Sequence, residues 1–334
     1  METINCELEV LTPMFLGGAL RENCELRTQS IKGALRFWYR ALLGEKELKK
    51  EMELFGSSSE SIGASKIRIS IKNKMLDFSN ITNDEDRRLP EGLGRKIRDQ
   101  MNPIAYLAYG PIENLPTGQI KKSGKPVKKL MFGRNYIKPG SNFELEVKLL
   151  TESLDFIEDF YKVLWLWLNF GGLGSRSRNG LGSLQSRNSN LFSDFEWSRK
   201  QNIREILKNI INNKTDMPYS KRFSYLCNNT KLWRSKNLYS SWEECLWNLG
   251  LNYYSWRSSL SGKGGRKVIG LPLGEEDGRR RASSYFFKVF KEENRYGFRV
   301  LFMPAKFLDF EDEYLKKNNK IFQQMILKNT IMEV

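Results

Sequence analysis

The alternation of two hydrophobic periodicities along the first half of the chain constrains its fold more than any other sequence feature. Apolar residues recur at every second position in three short segments, as in strands with one buried face, and at helical spacing in two longer ones. Strands are predicted at residues 3–11, 66–71 and 143–149, with a fourth at 181–186 after a glycine-rich loop, and helices at 30–43 and 154–170. This order predicts a ferredoxin-like (RRM-like) β-α-β-β-α-β unit whose two helices cover one face of an antiparallel sheet.

A second pattern begins after about residue 192. It contains helices near residues 198–211, 242–257 and 311–328 and a hairpin from 285 to 303. The chain has 334 residues, which is long enough for two domains of ordinary size. We therefore predict an α+β protein of two tandem ferredoxin-like domains, residues 1–192 and 193–334, of which the second is helix-rich.

The residues between the second and third predicted strands lack clean periodicity. Residues 79–100 are charged and are expected to form a loop, whereas a short strand is expected at 104–109. Glycine and proline interrupt residues 117–130, which predicts an exposed, mobile basic loop. Its lysines are Lys121, Lys122, Lys125, Lys128 and Lys129.

The charge of the chain indicates a polyanionic partner. Lysine and arginine outnumber aspartate and glutamate by 55 to 39, giving a net charge of +16, and this excess favours nucleic acid ahead of an anionic membrane. The longest apolar stretch, residues 163–170, is far shorter than the roughly 20 residues that cross a bilayer. Because no secretory signal is visible either, we expect a cytoplasmic protein without membrane contact.

The chain contains no histidine, which narrows its possible chemistry. Histidine-based ribonucleases and hydrolases, and metal sites built on histidine, are excluded. The four cysteines, Cys6, Cys24, Cys227 and Cys245, include no Cys-x-x-Cys pair and are interpreted as small buried or half-buried hydrophobes. Any catalysis has to use tyrosine, lysine, serine or carboxylates.

The first candidate binding segment is RTQSIKGALRFWYR, residues 27–40. With Ile31 at zero on a helical wheel, Lys32, Arg36 and Arg40 fall at about 100°, 140° and 180°, on a cationic side next to the apolar one. Ser30 is the expected N-cap, and the amides of the helix start could hold a phosphate. A solvated face of an ordinary surface helix would show the same pattern.

The second candidate segment is FGGLGSRSRNGLGS, residues 170–183. Its five glycines, Gly172 and Gly174 among them, permit close backbone approach to a ligand, while Arg176 and Arg178 can clamp phosphates or stack on bases. The segment matches neither the Walker pattern nor Gly-x-Gly-x-x-Gly, so no nucleotide cofactor is expected. A helix cap followed by a bulge is the alternative interpretation.

Together with TPMFLGGA at residues 12–19, these two segments resemble the amino-terminal RAMP domain of the first-subunit family of Cmr (type III-B CRISPR) effector complexes. The resemblance implies tandem ferredoxin-like domains, no cofactor and no catalysis, with cleavage left to a neighbouring subunit. It also implies a position near the 3′ end of the guide RNA, where the subunit helps to capture single-stranded target RNA, and contacts with other RAMP subunits.

By this resemblance the expected RNA contacts lie in the two segments. They are Arg27, Ser30, Lys32, Arg36, Arg40, Gly172, Gly174, Arg176 and Arg178. Lys121, Lys122 and Lys125 are added on charge alone.

Several alternatives stay open from the sequence. A metal-independent endoribonuclease that processes CRISPR precursor RNA would need a tyrosine or lysine with a shifted pKa. The acidic runs at residues 84–86 and 275–277 are interpreted as solvated loops, without metal. Six tryptophans are interpreted as core or subunit interface instead of base-stacking residues; they are Trp165, Trp167, Trp233, Trp242, Trp247 and Trp256.

Overall fold

The computed structural model of the protein describes residues 1–18, 23–44, 47–58, 63–97, 100–120, 123–124, 126–199, 202–211, 224–260, 266, 269–270, 282–305 and 313–332. Its strands are β1 (Glu2–Val10), β2 (Ile67–Met75), β3 (Ile112–Ile120), β4 (Pro126–Phe132), β5 (Asn142–Leu149), β6 (Leu184–Ser186), β7 (Lys231–Ser235), β8 (Tyr285–Glu292), β9 (Arg295–Phe302) and β10 (Thr330–Met332). Its helices are α1 (Thr28–Leu43), α2 (Leu48–Phe55), α3 (Asp84–Arg87), α4 (Pro103–Leu107), α5 (Leu154–Phe170), α6 (Ile203–Ile211), α7 (Trp242–Ser258) and α8 (Glu313–Asn329). Within these ranges, every helix is too short or too polar to span a lipid bilayer.

The first sheet is antiparallel, with the strand order β2-β5-β1-β6. Alternate side chains of β1, from Ile4 to Val10, are buried, and they pack in one cluster with the apolar sides of α1 and α5. The residues between them, such as Asn5 and Glu7, are exposed. The period-two pattern of β1 therefore corresponds to a sheet with one covered face and one open face.

The second sheet is also antiparallel, with the order β10-β7-β9-β8, and both of its faces are covered near β8. Phe286 lies 5.6 Å from Phe37 of α1, between ring centroids, on one face. On the other face, Phe287 lies 4.8 Å from Tyr253 of α7, and Tyr285 packs against α8. The order of layers is therefore first sheet, α1 with α5, second sheet, and α7 with α8.

Residues beyond 192 contribute to the first hydrophobic cluster. Trp197, Leu207 and Ile210 are buried in it, together with Phe286 of the second sheet. Conversely, residues 104–108 belong to the cluster formed by the second sheet and α7. Each cluster thus draws on both halves of the chain, and the division at residue 192 stays a prediction.

The strand predicted at residues 104–109 is wrong, because this segment begins with the short helix α4. The Asn102 side chain accepts a hydrogen bond from the Ile104 amide at 2.9 Å, and Pro103 occupies the first turn. Asparagine at the N-cap followed by proline is a helix start signal. The run of apolar residues that suggested a strand reflects packing of α4 against α7.

The loop predicted at residues 117–130 is also wrong in large part, because β3 and β4 form a two-stranded hairpin. Ile112 pairs with Phe132 at its base and Ile120 with Pro126 near its tip. The register shifts between Pro116 and Ile120. Proline and glycine within the strands hid the period-two pattern from the sequence.

The remaining predicted elements agree closely with the structure. The helix at 154–170 has the predicted bounds, and α1 begins two residues earlier than predicted, so that Arg27 and not Ser30 is its N-cap. The short helix α2 and the strands β7 and β10 had no prediction, and the loop predicted at residues 79–100 contains the short helix α3. All four cysteines are free thiols, buried or half-buried, as expected, and burial raises the pKa of Cys6 to about 12.

Candidate nucleic-acid interface

The start of α1 combines helix amides with an arginine. Arg27 is the N-cap residue, but its side chain accepts no hydrogen bond from the helix amides. The first turn of α1, all of it described, contains no acidic residue. The Arg27 Nη2 atom donates a hydrogen bond to the Gly17 carbonyl at 2.8 Å, which fixes the preceding turn beside the helix. Ser30 is half-buried and Gly33 is exposed, so the partial positive charge of the helix start faces accessible surface.

Two of the predicted cations on α1 share one carboxylate. Glu51 of α2, with only 5% of its side chain exposed, lies 2.6 Å from Arg36 Nε and 3.6 Å from Arg40 Nε. The two arginine side chains are each more than one third exposed. Because one carboxylate balances one of the two positive charges, this side of α1 is less cationic than the sequence suggested. The signal was missed because α2 was not predicted.

Lys32 lies on the same side of α1, toward the turn before β2. Its Nζ atom donates a hydrogen bond to the Ser65 hydroxyl at 2.8 Å. Partial burial lowers the pKa of Lys32, and the nearby charge of Arg36 acts in the same direction. A lysine in this position has part of its hydrogen-bonding capacity used within the protein.

Residues 170–183, called the glycine segment below, run along β8, the edge strand of the second sheet. The Phe287 amide donates to the Arg178 carbonyl at 2.8 Å, and the Val289 amide donates to the Ser183 hydroxyl at 3.1 Å. Lys288, which is 1% exposed, donates from Nζ to the carbonyls of Gly171 at 2.6 Å and Leu184 at 2.7 Å. The glycine segment therefore fastens the two sheets to each other.

The buried Lys288 was not singled out from the sequence. Burial lowers its pKa well below the usual value for lysine, and the charge of Arg299 adds to this effect. The available signal was a lysine within the apolar run YFFKVF at residues 285–290. Such a lysine has to find acceptors, and the two carbonyls provide them.

The glycines of this segment are required by contacts inside the protein. A Cβ atom on Gly174, which has φ +88°, would lie 2.4 Å from the Phe15 carbonyl oxygen. On Gly172 it would lie 2.9 Å from the Gly182 oxygen. The close approach that glycine permits here is made to the protein's own backbone. Contact of Gly172 or Gly174 with a ligand stays a prediction.

The side chain of Arg178 packs against other residues of the protein. Its guanidinium carbon lies 4.4 Å from the ring centroid of Phe286 and 5.1 Å from that of Phe37, and it donates to the Ser283 carbonyl. Burial lowers its pKa to about 10. An RNA contact of Arg178 stays a prediction; in the structure its guanidinium packs against both rings at the contact of α1 with β8.

Arg176 differs from Arg178 because it lies against an exposed tyrosine. It adopts a left-handed backbone conformation, with φ +60°, and its Nε atom donates to the Tyr109 carbonyl at 2.5 Å. The Tyr109 side chain is 67% exposed, and its ring centroid lies 5.9 Å from the Arg176 guanidinium carbon. Strained backbone held by specific contacts is common at functional sites. An exposed ring beside a cation is suited to stack on a nucleobase.

Tyr109 was missed by sequence reasoning because its segment was interpreted as a strand. A further contact holds it in place, since the Asn179 side chain donates to the Leu107 carbonyl at 2.8 Å. Two side chains of the glycine segment thus bind the carbonyl end of α4. The sequence signal was an aromatic residue directly before Gly110, at the end of a short apolar run.

The two predicted segments lie next to each other. Arg178 stacks on Phe37 of α1, and a Cβ atom on Gly171 would lie 2.5 Å from Trp38 Nε1. On the helical wheel Phe37 is about 60° from Arg40, about 100° from Arg36 and about 140° from Lys32, so the glycine segment meets α1 next to Arg40. We call the combination of Arg27, Ser30, Lys32, Arg36, Arg40, Arg176 and Tyr109 the α1–glycine surface.

The other predicted contacts are less defined. Lys121, Lys122 and Lys125 lie outside the described residues, whereas Lys128 and Lys129 of β4 are exposed. Five of the six tryptophans are buried and Trp242 is half-buried, which confirms them as core residues.

The acidic run at residues 84–86 lies in the short helix α3 and not in the predicted loop, and two of its acids form ion pairs. Asp86 accepts hydrogen bonds from the Asn80 amide at 2.7 Å and from Lys138 at 2.9 Å. Burial alone would raise the pKa of Asp86, but these contacts outweigh it and the pKa is lowered. In the part of the chain that the structure describes, no three potential metal ligands cluster. The run at 275–277 lies outside that part.

Comparison with known proteins connects this architecture to one family. A model of the RAMP superfamily matches residues 7–185, more than half of the chain. The CRISPR system Cmr subunit Cmr1-2 of Pyrococcus furiosus is 27% identical over 188 residues, 54% of this chain and 92% of that protein. Cmr1-1 of the same organism is 28% identical over 180 residues, covering 54% of this chain but less than half of Cmr1-1, at 46%.

Solved structures show the same likeness in fold. The crystal structure of apo Cmr1 from Pyrococcus furiosus aligns with a TM-score of 0.61 at 21% identity, covering 99% of this chain and 98% of that one. A chain of the type III-B Cmr-beta complex, bound to cognate target RNA and AMPPnP in the presence of ssDNA, aligns with a TM-score of 0.56 at 15% identity, covering 97% and 99%. The family expected from the two sequence segments is confirmed: the chain belongs to the RAMP superfamily.

Proposed function

We propose that this chain is a non-catalytic, RNA-binding subunit of a type III-B CRISPR effector complex. In this proposal it lies near the 3′ end of the guide RNA, contacts other RAMP subunits in the cytoplasm, and helps to capture target RNA for antiviral defence. Support comes from its likeness to Cmr1 proteins and to a chain of a Cmr complex bound to target RNA. The net charge of +16 suits such a polyanionic partner.

The proposal includes two tandem ferredoxin-like units. In each four-stranded sheet the fourth strand lies beside the first, followed by the third and the second, when the β3–β4 hairpin is treated as an insertion. In each unit one helix follows the first strand and another precedes the fourth. This order is the support for a β-α-β-β-α-β unit in both halves.

The observation that carries RNA binding is the pairing of Arg176 with the exposed ring of Tyr109. Arg176 lies two residues before Arg178, which packs on Phe37 of α1. A phosphate at the start of α1 meets helix amides and Arg27, while a base can stack on Tyr109. This arrangement combines backbone neutralisation with sequence-tolerant stacking. No acid of the described part of the glycine segment opposes it.

The open face of the first sheet is less suited to RNA than the α1–glycine surface. RRM-type sheets stack bases on aromatic side chains. Here, the described outward positions of β1, β5 and β2 carry no aromatic residue, and four of them are glutamates; these are Glu7, Glu9, Glu144 and Glu146. Arg68, Lys72 and Lys148 lie on the same face, and two of them pair with Glu146, so this face offers a phosphate backbone no excess of positive charge.

A binding titration at several salt concentrations tests the proposal. Single-stranded RNA is expected to bind with submicromolar to micromolar affinity and to weaken steeply as salt rises, because each neutralised phosphate releases counterion. Arg176→Ala is expected to weaken binding across sequences and to reduce the salt dependence by about one ion. Binding that is absent, or that is independent of salt, would contradict the proposal.

Endoribonuclease activity on CRISPR precursor RNA is the alternative function. Of the lysines in the described ranges with a lowered pKa, Lys288 is inaccessible and Lys32 is hydrogen-bonded to Ser65. Incubation of catalytic amounts of protein with repeat RNA and EDTA separates the two functions. A discrete, catalytic cut would replace the binding proposal, and intact RNA under conditions of full binding would retain it.

A further inference from the structure

A cleft is lined by residues 95–97 and 100, by residues of α7 and its C-terminal end, and by Met325 of α8. Its apolar lining residues are Ile97, Leu251 and Met325, and Tyr254 is its aromatic one. Its polar lining residues are Arg95, Lys96, Gln100, Ser255, Ser258 and Ser259. A lining that combines apolar, aromatic and cationic residues suits a flat, phosphorylated ligand.

Hydrogen bonds hold the backbone of residues 95–97 against the protein core. The indole Nε1 of the buried Trp247 donates to the Arg95 carbonyl at 3.2 Å. The Ile97 amide donates to the Met101 carbonyl at 3.1 Å, and the Ile97 side chain is 7% exposed. The backbone that carries Arg95 and Lys96 is thus held in place on α7 before any ligand arrives, which lowers the entropic cost of binding.

The aromatic side chain of the cleft, Tyr254, is also held by a contact within the protein. Tyr254 packs edge-on against Tyr106 of α4, with ring centroids 5.3 Å apart and an interplanar angle of 84°. This contact packs Tyr254 against α4, and the half-buried residue also lines the cleft. A fixed aromatic ring binds a base with little loss of side-chain entropy.

The charge of the cleft selects an anion. Of the described residues that line it, none is acidic and two are cationic. Glu91, outside the lining, lies 3.9 Å from Lys96 Nζ and offsets part of that charge. Burial raises the pKa of Tyr106 to about 12, and the charges of Arg257 and Arg266 oppose this rise. The carbonyl end of α7 disfavours an anion near Ser258, so the phosphate position is on the Arg95 side.

We infer that this cleft binds a nucleotide, with the base stacked on Tyr254 and the phosphate held by Arg95 and Lys96. The nucleotide can be part of an RNA strand or a free nucleotide. For the first source, the inference rests on the proposed RNA-binding function. Along the chain, α4 (Pro103–Leu107) separates Gln100 of the cleft from Tyr109.

Three probes separate the sources: a 15-nucleotide oligouridine, uridine monophosphate and inorganic phosphate, each titrated into the whole chain. Tyr254→Ala is expected to weaken oligouridine binding about five-fold or more, whereas Tyr254→Phe keeps the ring and the affinity. The double variant Arg95→Ala/Lys96→Ala is expected to reduce the salt dependence by between one and two ions. Photocrosslinking with 4-thiouridine RNA is expected to label the peptide that contains Tyr254.

A matched double variant, Arg68→Ala/Lys148→Ala, removes the same charge from the open face of the first sheet. The inference is overturned if this control changes RNA binding as much as the cleft variant, or if Tyr254→Ala binds oligouridine and uridine monophosphate as the wild type does. In that case, loss of binding in Arg176→Ala would still support the proposed function. Tyr254-dependent binding of uridine monophosphate, with oligouridine unaffected by the variant, would assign the cleft to free nucleotides.

Discussion

The two four-stranded sheets share one strand order but differ in how their charged residues are placed. In the first sheet, Lys72 and Lys148 lie on the open face, with about half of each side chain exposed, and both pair with Glu146. In the second sheet, Lys288 occupies a strand covered on both faces and bonds only to carbonyl oxygens among its described partners. Lysine is thus an exposed, ion-paired residue in the first sheet and a buried hydrogen-bond donor in the second.

The glycine segment explains this difference. It lies along the edge of β8 and brings Arg178 and two backbone carbonyls into the contact between the sheets. Two residues away from Arg178, Arg176 faces outward with Tyr109. The segment therefore has an inner side that holds the fold and an outer side available for a ligand. Substitutions on the inner side should affect stability, and those on the outer side should affect binding.

Gly182→Ala should have the largest effect, because it acts on the inner side. Gly182 has φ +58°, and an added Cβ would lie 1.9 Å from the Leu173 carbonyl oxygen. Such an overlap with backbone cannot be relieved by a side-chain rotation, so we expect a loss of more than about 4 kcal/mol in unfolding free energy, or no folding. Thermal unfolding measures the loss. Gly33→Ala on α1, where no atom lies within 4 Å of the new Cβ, is the control and should be neutral or slightly stabilising.

Lys288→Met should cost about 1–3 kcal/mol at neutral pH, because two buried carbonyls lose their donor. The pKa of Lys288 is lowered by burial, so the unfolded chain binds the proton more tightly than the folded one. The stability contribution of Lys288 should therefore grow as the pH rises toward the ordinary lysine value of 10.5. Denaturant titrations at pH 7 and 9.5 should show a wider gap between wild type and variant at the higher pH. A stability difference that narrows as the pH rises would contradict a lowered pKa for Lys288. Lys291→Met, at the half-buried end of β8, is the control.

Glu51→Gln sharpens the comparison on α1, where a buried carboxylate links two half-exposed arginines. We expect a loss of about 1–2 kcal/mol in unfolding free energy, since α2 is held to α1 by this pair. RNA affinity should rise slightly, because a negative charge beside Arg36 and Arg40 is removed. Glu53→Gln on the same helix is the matched control. Equal behaviour of the two variants in both measurements would remove Arg36 and Arg40 from the binding surface.

Tyr109→Ala should leave stability nearly unchanged, because the side chain is 67% exposed. RNA affinity should fall by about 1 kcal/mol or more if a base stacks on the ring, and Tyr109→Phe should retain it. Binding titrations of the three proteins with the same single-stranded RNA decide the point. If Tyr109→Ala binds RNA with unchanged affinity, Tyr109 does not contact RNA, and Arg176 remains the proposed contact at this place.

The sequence predicted the elements whose pattern depends on local burial. The strand at β1 and the helices α1 and α5 each bury one regular face, so their periodicity is visible without knowledge of the partner. The segments α4 and β3–β4 were interpreted wrongly because tertiary packing and hairpin pairing outweighed their local signals. The same limit hid Tyr109, whose exposure depends on how α4 ends against the glycine segment.

By itself, the sequence determined the family, the cationic character of the chain and the two segments that meet in space, because these follow from composition, periodicity and motif. Only the tertiary structure decided which cations face inward. Arg178 and Arg176 are indistinguishable in a glycine-rich run, but Arg178 packs against two aromatic rings and Arg176 lies beside an exposed tyrosine. The reason is that a side chain's environment is set by neighbours distant in sequence, which no local pattern encodes.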